Sequence, residues 1–262
     1  MRRASKYLLI DISNSFAKLA FASSARTGRS QRIATEKFNS TFLRDIIKRG
    51  LSADSQGRSR RLANKIDIIV VASVVPRKNR EVRKAAGKSK LLWLGPQLKL
   101  GVGIDYPDPS SIGADRLANA AAVAALYGWP AIVVDFGTAV TFDIVSEEKN
   151  YIGGVIAPGL EAMTNFLYQR TALLPKLSLR EPRRAIGRST IEAMRAGAIL
   201  GYRGLVGEII ARIKAERFRD RNVHVVATGG YAALIAAKLA EINIVHPDLT
   251  LEGLRIVANL NS

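Results

Sequence analysis

A chain of 262 residues, 48% of them hydrophobic, is long enough for one or two domains with a full core and too apolar to be disordered. It has no cysteine and only two histidines, His224 and His246, which rules out disulfides, thiolate metal sites and cysteine nucleophiles and argues against a multi-histidine zinc centre. A formal net charge of +18 suits polyanionic partners, but the basic runs "RSRR" (58–61), "PRKNREVRKAAGKSK" (76–90) and "RFRDR" (217–221) lack the interleaved aromatics that stack bases; they read first as solvated faces, with a nucleic-acid patch as the lesser alternative.

The chain opens with "MRRASKYLLID", where Asp11 ends the apolar run after four residues. A secretory signal needs roughly 7–15 apolar residues, and no run approaches the ~18 of a spanning helix. A cytoplasmic protein without membrane segments is expected. "YLLIDISNSFAKLAF" (7–21) predicts a strand, a tight turn through Ser13, Asn14 and Ser15, and a second strand, with Asp11 at the bend. Residues 49–64 are polar and read as a loop, and "IDIIVVAS" (66–73) reads as a buried strand. "ADRLANAAAVAALYG" (114–128) is an Ala-rich helix stopped at Gly128. "PAIVVDFGTAVTFDIV" (130–145) gives strand, turn, strand, and "NYIGGVIAPGL" (150–160) a further strand with a Gly-rich exit. "STIEAMRAGAILGYRGLVGEIIARIKAE" (189–216) is helical, with a break expected near Gly201. "NVHVVATGG" (222–230) is a strand running into a glycine pair, and "DLTLEGLRIVANL" (248–260) a terminal amphipathic helix capped near Thr250. Strands alternating with helices make the class α/β.

"LLIDISNSFAKLAF" and "IVVDFGTAVTFDIV" share one plan: apolar strand, Asp, one residue, a small turn residue, a hydroxyl or amide residue, second strand. This is either a diverged duplication or the chance likeness of two hairpins. A tight turn after a buried strand exposes N–H groups that can cradle phosphate oxygens. Asp11 and Asp135 beside phosphate would then need a cation, and magnesium favours such oxygen ligands. Two facing Asp-turns holding a nucleotide is the logic of a duplicated ATPase cleft. In "VVATGGYAALIAAKL" (225–239), Gly229 and Gly230 before a helix offer N–H donors and let a flat ring pack on the backbone, or form a plain strand–helix turn. In "YPDPSSIGADRLANA" (106–120), Asp115 in the first helical turn is either an ordinary cap or a general base, with Arg116 a clamp for a substrate carboxylate.

"IGADR", "DFGTAVTFD", "GGVIAPGL", "RTALLP", "GRSTIEAMRAG", "ATGGYA" and "PDLTLEGLR" follow one another in this order. Together they resemble type III pantothenate kinases, a family of the acetate kinase, sugar kinase, actin and chaperone ATPase superfamily. The resemblance spans about Tyr7 to Arg255. It implies a duplicated actin-like fold of two similar halves, taken as 1–116 and 117–262, each a mixed sheet flanked by helices. It implies ATP-dependent phosphorylation of pantothenate to 4′-phosphopantothenate, the first step of coenzyme A synthesis, by a homodimer using ATP, Mg2+ and a monovalent cation, K+ or NH4+.

The family's first phosphate motif maps onto Asp11, Asn14, Ser15 and Lys18, with Ser13 where the family has glycine; Asp11 would bind Mg2+. The resemblance makes Asp115 the proton acceptor, with Gly113, Ala114, Asp115 and Arg116 contacting pantothenate and Tyr106 ahead of them. Asp135 would hold the monovalent cation, Thr138 would contact ATP with Gly229 and Gly230, and Thr190 would reach pantothenate across a dimer interface. The alternative is a non-catalytic accessory relative that binds nucleic acid. Ser13 is its best argument, because a Cβ could clash with phosphate. Against it, Asp11, Lys18, Asp115, Arg116, Asp135 and Thr138 are all present.

Overall fold

The computed structural model describes residues 6–53, 66–219 and 221–262. The chain forms β1 (Lys6–Ile12), β2 (Phe16–Ser23), β3 (Gln31–Ala34), α1 (Ser40–Ala53), β4 (Ile68–Ser73), α2 (Pro76–Ala86), β5 (Lys90–Trp93), β6 (Gly103–Ile104) and α3 (Ala114–Leu126). It continues as β7 (Ala131–Phe136), β8 (Ala139–Val145), β9 (Asn150–Pro158), α4 (Leu160–Arg170), α5 (Thr190–Ile213), β10 (His224–Gly229), α6 (Ala232–Ala236), β11 (Ile244–Val245) and α7 (Leu249–Leu260).

Two compact units result: Met1–Ala125 with Asp248–Ser262, and Leu126–Pro247. These bounds differ from the expected halves at 1–116 and 117–262. Helix α3 is one rigid element and is not divided at residue 116. The last helix, α7, packs on β1, β2 and β4 and so belongs to the first unit.

In the first unit the strands run in the order β3-β2-β1-β4-β5. β1–β2 and β2–β3 are antiparallel, while β1–β4 and β4–β5 are parallel. β1 is central and buried on both faces, which explains its near-continuous apolar run. The core gathers Leu8, Ile10 and Ile12 of β1 with Ile69 and Val71 of β4, Leu43 of α1 and Val82 of α2. The basic run at 76–90 contains α2, which starts on Pro76 at its first position and buries Val82, Ala85 and Ala86. The "RSRR" run lies outside the described residues. The loop expected over 49–64 is helical as far as Ala53, and the rest of it also lies outside the described residues.

The second unit repeats this plan. Its strands run β11-β10-β7-β8-β9. β7–β8 and β8–β9 are antiparallel, while β7–β10 and β10–β11 are parallel. Each of the five strands of the first sheet therefore has a counterpart of the same order and sense, which chance likeness of two hairpins does not explain. The core joins Ile132 and Val134 of β7, Phe142 of β8 and Val225 of β10 to Ile199, Tyr202, Val206 and Ile210 of α5. Those α5 positions recur at spacings of three and four, one helix face. That face carries α5 unbroken through Gly201, so the expected break is absent. Arg217 and Arg221 of the "RFRDR" run are ion-paired with Glu147 and Glu148.

Candidate active site

The duplicated plan puts Asp11 and Asp135 at equivalent places. Each is the penultimate residue of its unit's central strand, one before Ile12 and Phe136. Asp11 is in register with Lys18 of β2 and Ala72 of β4; Asp135 is in register with Thr141 of β8 and Thr228 of β10. Both carboxylates are half-buried.

In the first unit, Asp11 leads into the Ser13–Asn14–Ser15 turn, closed by a hydrogen bond from Ser13 N–H to the Phe16 carbonyl at 3.0 Å. Asn14 and Ser15 are exposed, Ser13 half-buried. Ser13 is not among the residues with positive φ, so its Cβ carries no backbone strain. Lys18 Nζ pairs with Asp248 Oδ1 at 3.0 Å. Asp248 stands at the head of α7 and also accepts from the Ser30 hydroxyl. Thr250 does not cap this helix. It is buried, and its hydroxyl donates to Asn119 Oδ1 of α3 at 2.8 Å.

Helix α3 presents the second group of the first unit. Tyr106 is half-buried in the loop before it. Gly113 accepts the first helical hydrogen bonds from Arg116 and Leu117, and Ala114 opens the helix. A Cβ on Gly113 would stand 2.6 Å from Asp115 Oδ1, so the glycine leaves room for that carboxyl group. Asp115 also accepts from the Arg116 N–H at 2.9 Å, which is local capping. Burial raises its pKa above the ordinary 3.8, against the opposing pull of the Arg116 hydrogen bond and charge. A carboxylate destabilised by burial is a better proton acceptor, so capping and base readings coexist in one side chain.

In the second unit, Asp135 leads into a two-residue turn, Gly137 and Thr138, one residue shorter than the first. Thr138 is exposed, and its carbonyl accepts from the Gly159 N–H at 3.2 Å. Gly229, at the end of β10, has φ +90°, and a Cβ there would come within 2.5 Å of Asp135 Oδ1 and 2.7 Å of the Phe136 backbone. Only glycine fits beside Asp135. Gly230 follows it, exposed. The helix after the pair, α6, has five residues, too few for an appreciable dipole. What remains for Gly229 and Gly230 is bare backbone against which a flat ring can lie. Thr190 is the first residue of α5 and is exposed. Ser189 caps that helix, accepting from the Glu192 N–H, and Glu192 accepts from the Arg188 N–H, a reciprocal start that fixes Thr190 in place.

A sequence model of the type III pantothenate kinase family matches residues 7–212. The chain belongs to this family, and it is a pantothenate kinase. The type III pantothenate kinase of Akkermansia muciniphila is 47% identical over 256 residues, covering 97% of this chain and 99% of the relative. Among solved structures, a Baf family protein from Campylobacter jejuni has a TM-score of 0.57 at 19% identity, covering 97% of this chain and 98% of the other. The inorganic polyphosphate/ATP-glucomannokinase of Arthrobacter sp. strain KM has a TM-score of 0.50 at 12% identity, covering 98% and 100%. At these identities the two structures speak for the fold alone: the duplicated actin-like and sugar-kinase architecture.

Two residues in contact with the expected site residues carry no role in the sequence reading. Asp248 lies inside the "PDLTLEGLR" motif, but its partner Lys18 is far away in sequence. Thr35, fully buried, donates its hydroxyl to the Ser13 carbonyl at 2.7 Å. Nothing near Thr35 in the sequence signals that contact.

Proposed function

We propose that this pantothenate kinase transfers the γ-phosphoryl group of ATP to the hydroxyl of pantothenate by in-line attack, giving 4′-phosphopantothenate for coenzyme A synthesis. The transition state of such transfers is loose, so positioning and charge neutralisation matter more than proton abstraction. Asp115 orients the hydroxyl and accepts its proton late. Arg116 holds the pantothenate carboxylate, with Tyr106, Gly113 and Ala114 beside it. The N–H groups and side chains of Ser13, Asn14, Ser15 and Thr138, with the Lys18 ammonium, meet phosphate oxygens. Gly229 and Gly230 receive the adenine ring. The observation that carries the reading is Asp115: a carboxyl group with space made by Gly113, an arginine next to it, and a raised pKa.

Magnesium takes one or two carboxylates with phosphate oxygens and water. Asp11, a half-buried carboxylate at a strand end beside the turn, fits that donor set. Among the described residues no cluster of three acidic or histidine side chains offers an all-protein cage. Bound magnesium supplies charge neutralisation at the phosphates. Asp135 is assigned to the monovalent cation, potassium or ammonium. The second unit exposes Ile156 on β9, Met163, Phe166 and Tyr168 on α4, and Ile191 and Leu200 on α5, which supports a homodimer. In that dimer Thr190 reaches pantothenate bound by the partner. Among the described residues no helix is long and apolar enough to cross a membrane. An enzyme that consumes ATP works where ATP is held, which supports a cytoplasmic location.

An assay coupled to ADP release tests the reading. Turnover that requires pantothenate and magnesium and rises with potassium is expected. No turnover with all three present, together with tight salt-dependent DNA binding, would favour a regulatory role instead.

A further inference from the structure

The Ser13–Ser15 turn has a support that none of the motifs contains. Thr35, the residue immediately after β3, is fully buried. Its hydroxyl donates to the Ser13 carbonyl at 2.7 Å, and its N–H donates to the Ser15 carbonyl at 3.0 Å. These two bonds hold the carbonyls on either side of Asn14. A peptide unit is planar and trans, so its C=O and N–H point in opposite directions. Turning both carbonyls toward Thr35 aims the N–H groups of Asn14 and Phe16 the other way. Donors aimed together out of a turn are what a phosphate oxygen requires.

The second unit has the same backbone contact at the equivalent place. Gly159, the residue immediately after β9, donates its N–H to the carbonyl of Thr138, the last residue of that turn. β9 is the counterpart of β3, so the contact belongs to the shared plan. The first turn is one residue longer, with one more peptide unit to orient. Thr35 adds the hydroxyl that orients it.

We infer that Thr35 is a positioning residue of the ATP site: its hydroxyl and N–H together fix the carbonyls of Ser13 and Ser15, and so aim the turn's amide donors at phosphate. The inference rests on reading residues 13–15 as a phosphate turn. Thr35 itself meets no substrate.

Three variants of the full-length enzyme test it by steady-state kinetics in both substrates. Thr35→Val keeps the shape and removes the hydroxyl. It is expected to raise KM for ATP about tenfold, the effect of one lost hydrogen bond, and to leave KM for pantothenate within about twofold. Thr35→Ser keeps the hydroxyl and is expected to behave as wild type. If Thr35→Val does not fold, Thr35→Cys takes its place with the same expected split, because a thiol is a weak donor. Asn14→Asp puts a carboxylate in the turn and is expected to raise KM for ATP strongly. An unchanged KM for ATP in folded Thr35→Val, or an equal rise for both substrates, overturns the positioning role while Asn14→Asp still supports the turn. An unchanged KM for ATP in Asn14→Asp overturns the phosphate-turn reading, and the inference with it.

Discussion

Lys18 Nζ lies 3.0 Å from Asp248 Oδ1, joining the second strand of the first sheet to the head of the last helix. Both side chains are partly exposed, at 26% and 35%, and a pair of that kind contributes under about 1 kcal/mol to stability. An ammonium meeting phosphate in the desolvated complex is worth more, about 1.5–3 kcal/mol. Lys18→Ala is therefore expected to raise KM for ATP by about 10- to 100-fold with little change in melting temperature. Asp248→Asn is expected to stay within about threefold of wild type in KM for ATP. Identical kinetic defects in the two variants would mean that Lys18 acts through the ion pair and not on phosphate.

Asp115 couples activity and stability in opposite directions. Burial raises its folded pKa above 3.8. The stability owed to its protonated form is thus full below the unfolded pKa and is lost as pH rises through the folded value. Asp115→Asn removes the buried charge, so the variant is expected to melt higher than wild type at neutral pH. It also removes the proposed proton acceptor, and kcat is expected to fall by roughly 100-fold or more. The acid limb of the wild-type kcat/KM profile should lie above the ordinary aspartate range. Near-normal turnover by Asp115→Asn would take the residue out of the reaction.

Ser13 stands in the turn after Asp11, where the sequence resemblance implies glycine, and its φ is not positive. Glycine is needed where the backbone is left-handed or a Cβ would collide. The Ser13 backbone is not left-handed, so the first condition does not hold there. Ser13→Gly is expected to leave the dissociation constant for ATP within about twofold, or to weaken binding slightly through added backbone freedom. Calorimetric titration with ATP decides it: markedly tighter binding by the variant would identify the serine as a defect.

Glu181 ties the segment before α5 to that helix. Arg203, buried on α5, donates from Nη1 and Nη2 to the two Glu181 carboxylate oxygens at 3.1 and 2.7 Å, from Nη2 to the Leu234 carbonyl and from Nε to the Ile235 carbonyl. That hydrogen bonding, with the Lys238 contact and the two positive charges, lowers the Glu181 pKa from 4.5 to about 2 despite partial desolvation. A lowered folded pKa contributes stability above the unfolded value that is lost as pH falls from about 4.5 toward 2. Because Glu181 is more than a third exposed, solvent screening keeps that contribution small. Comparing wild type with Glu181→Gln across pH 2–7 should show the two melting curves converging in that acid window. A gap that persists unchanged at pH 2 would contradict the assignment.

The strands of this fold were legible because central strands are apolar on both faces and end in abrupt polar turns. Asp11 and Asp135 could be paired from sequence alone because each closes such a run. Helix α5 was harder. Its internal glycines predict a break, and only its packed face of Ile199, Tyr202, Val206 and Ile210 keeps it straight. The unit boundary was beyond sequence reading for a similar reason, since α7 returns to the first unit through contacts with β1, β2 and β4. The glycine pair was legible as a turn, but not the length of the helix after it.

By itself, the sequence determined the α/β class and the two strand–turn–strand segments with an aspartate at each bend, because these follow from local periodicity and from residue types at short spacing. Tertiary structure alone decided that Gly113 and Gly229 make room for the carboxyl groups of Asp115 and Asp135, that Lys18 meets Asp248, and that Thr35 holds the Ser13 turn. Those are contacts between atoms brought together by sheet register and helix packing. Chain separations as long as the 22 residues between Ser13 and Thr35 carry no local trace of such contacts.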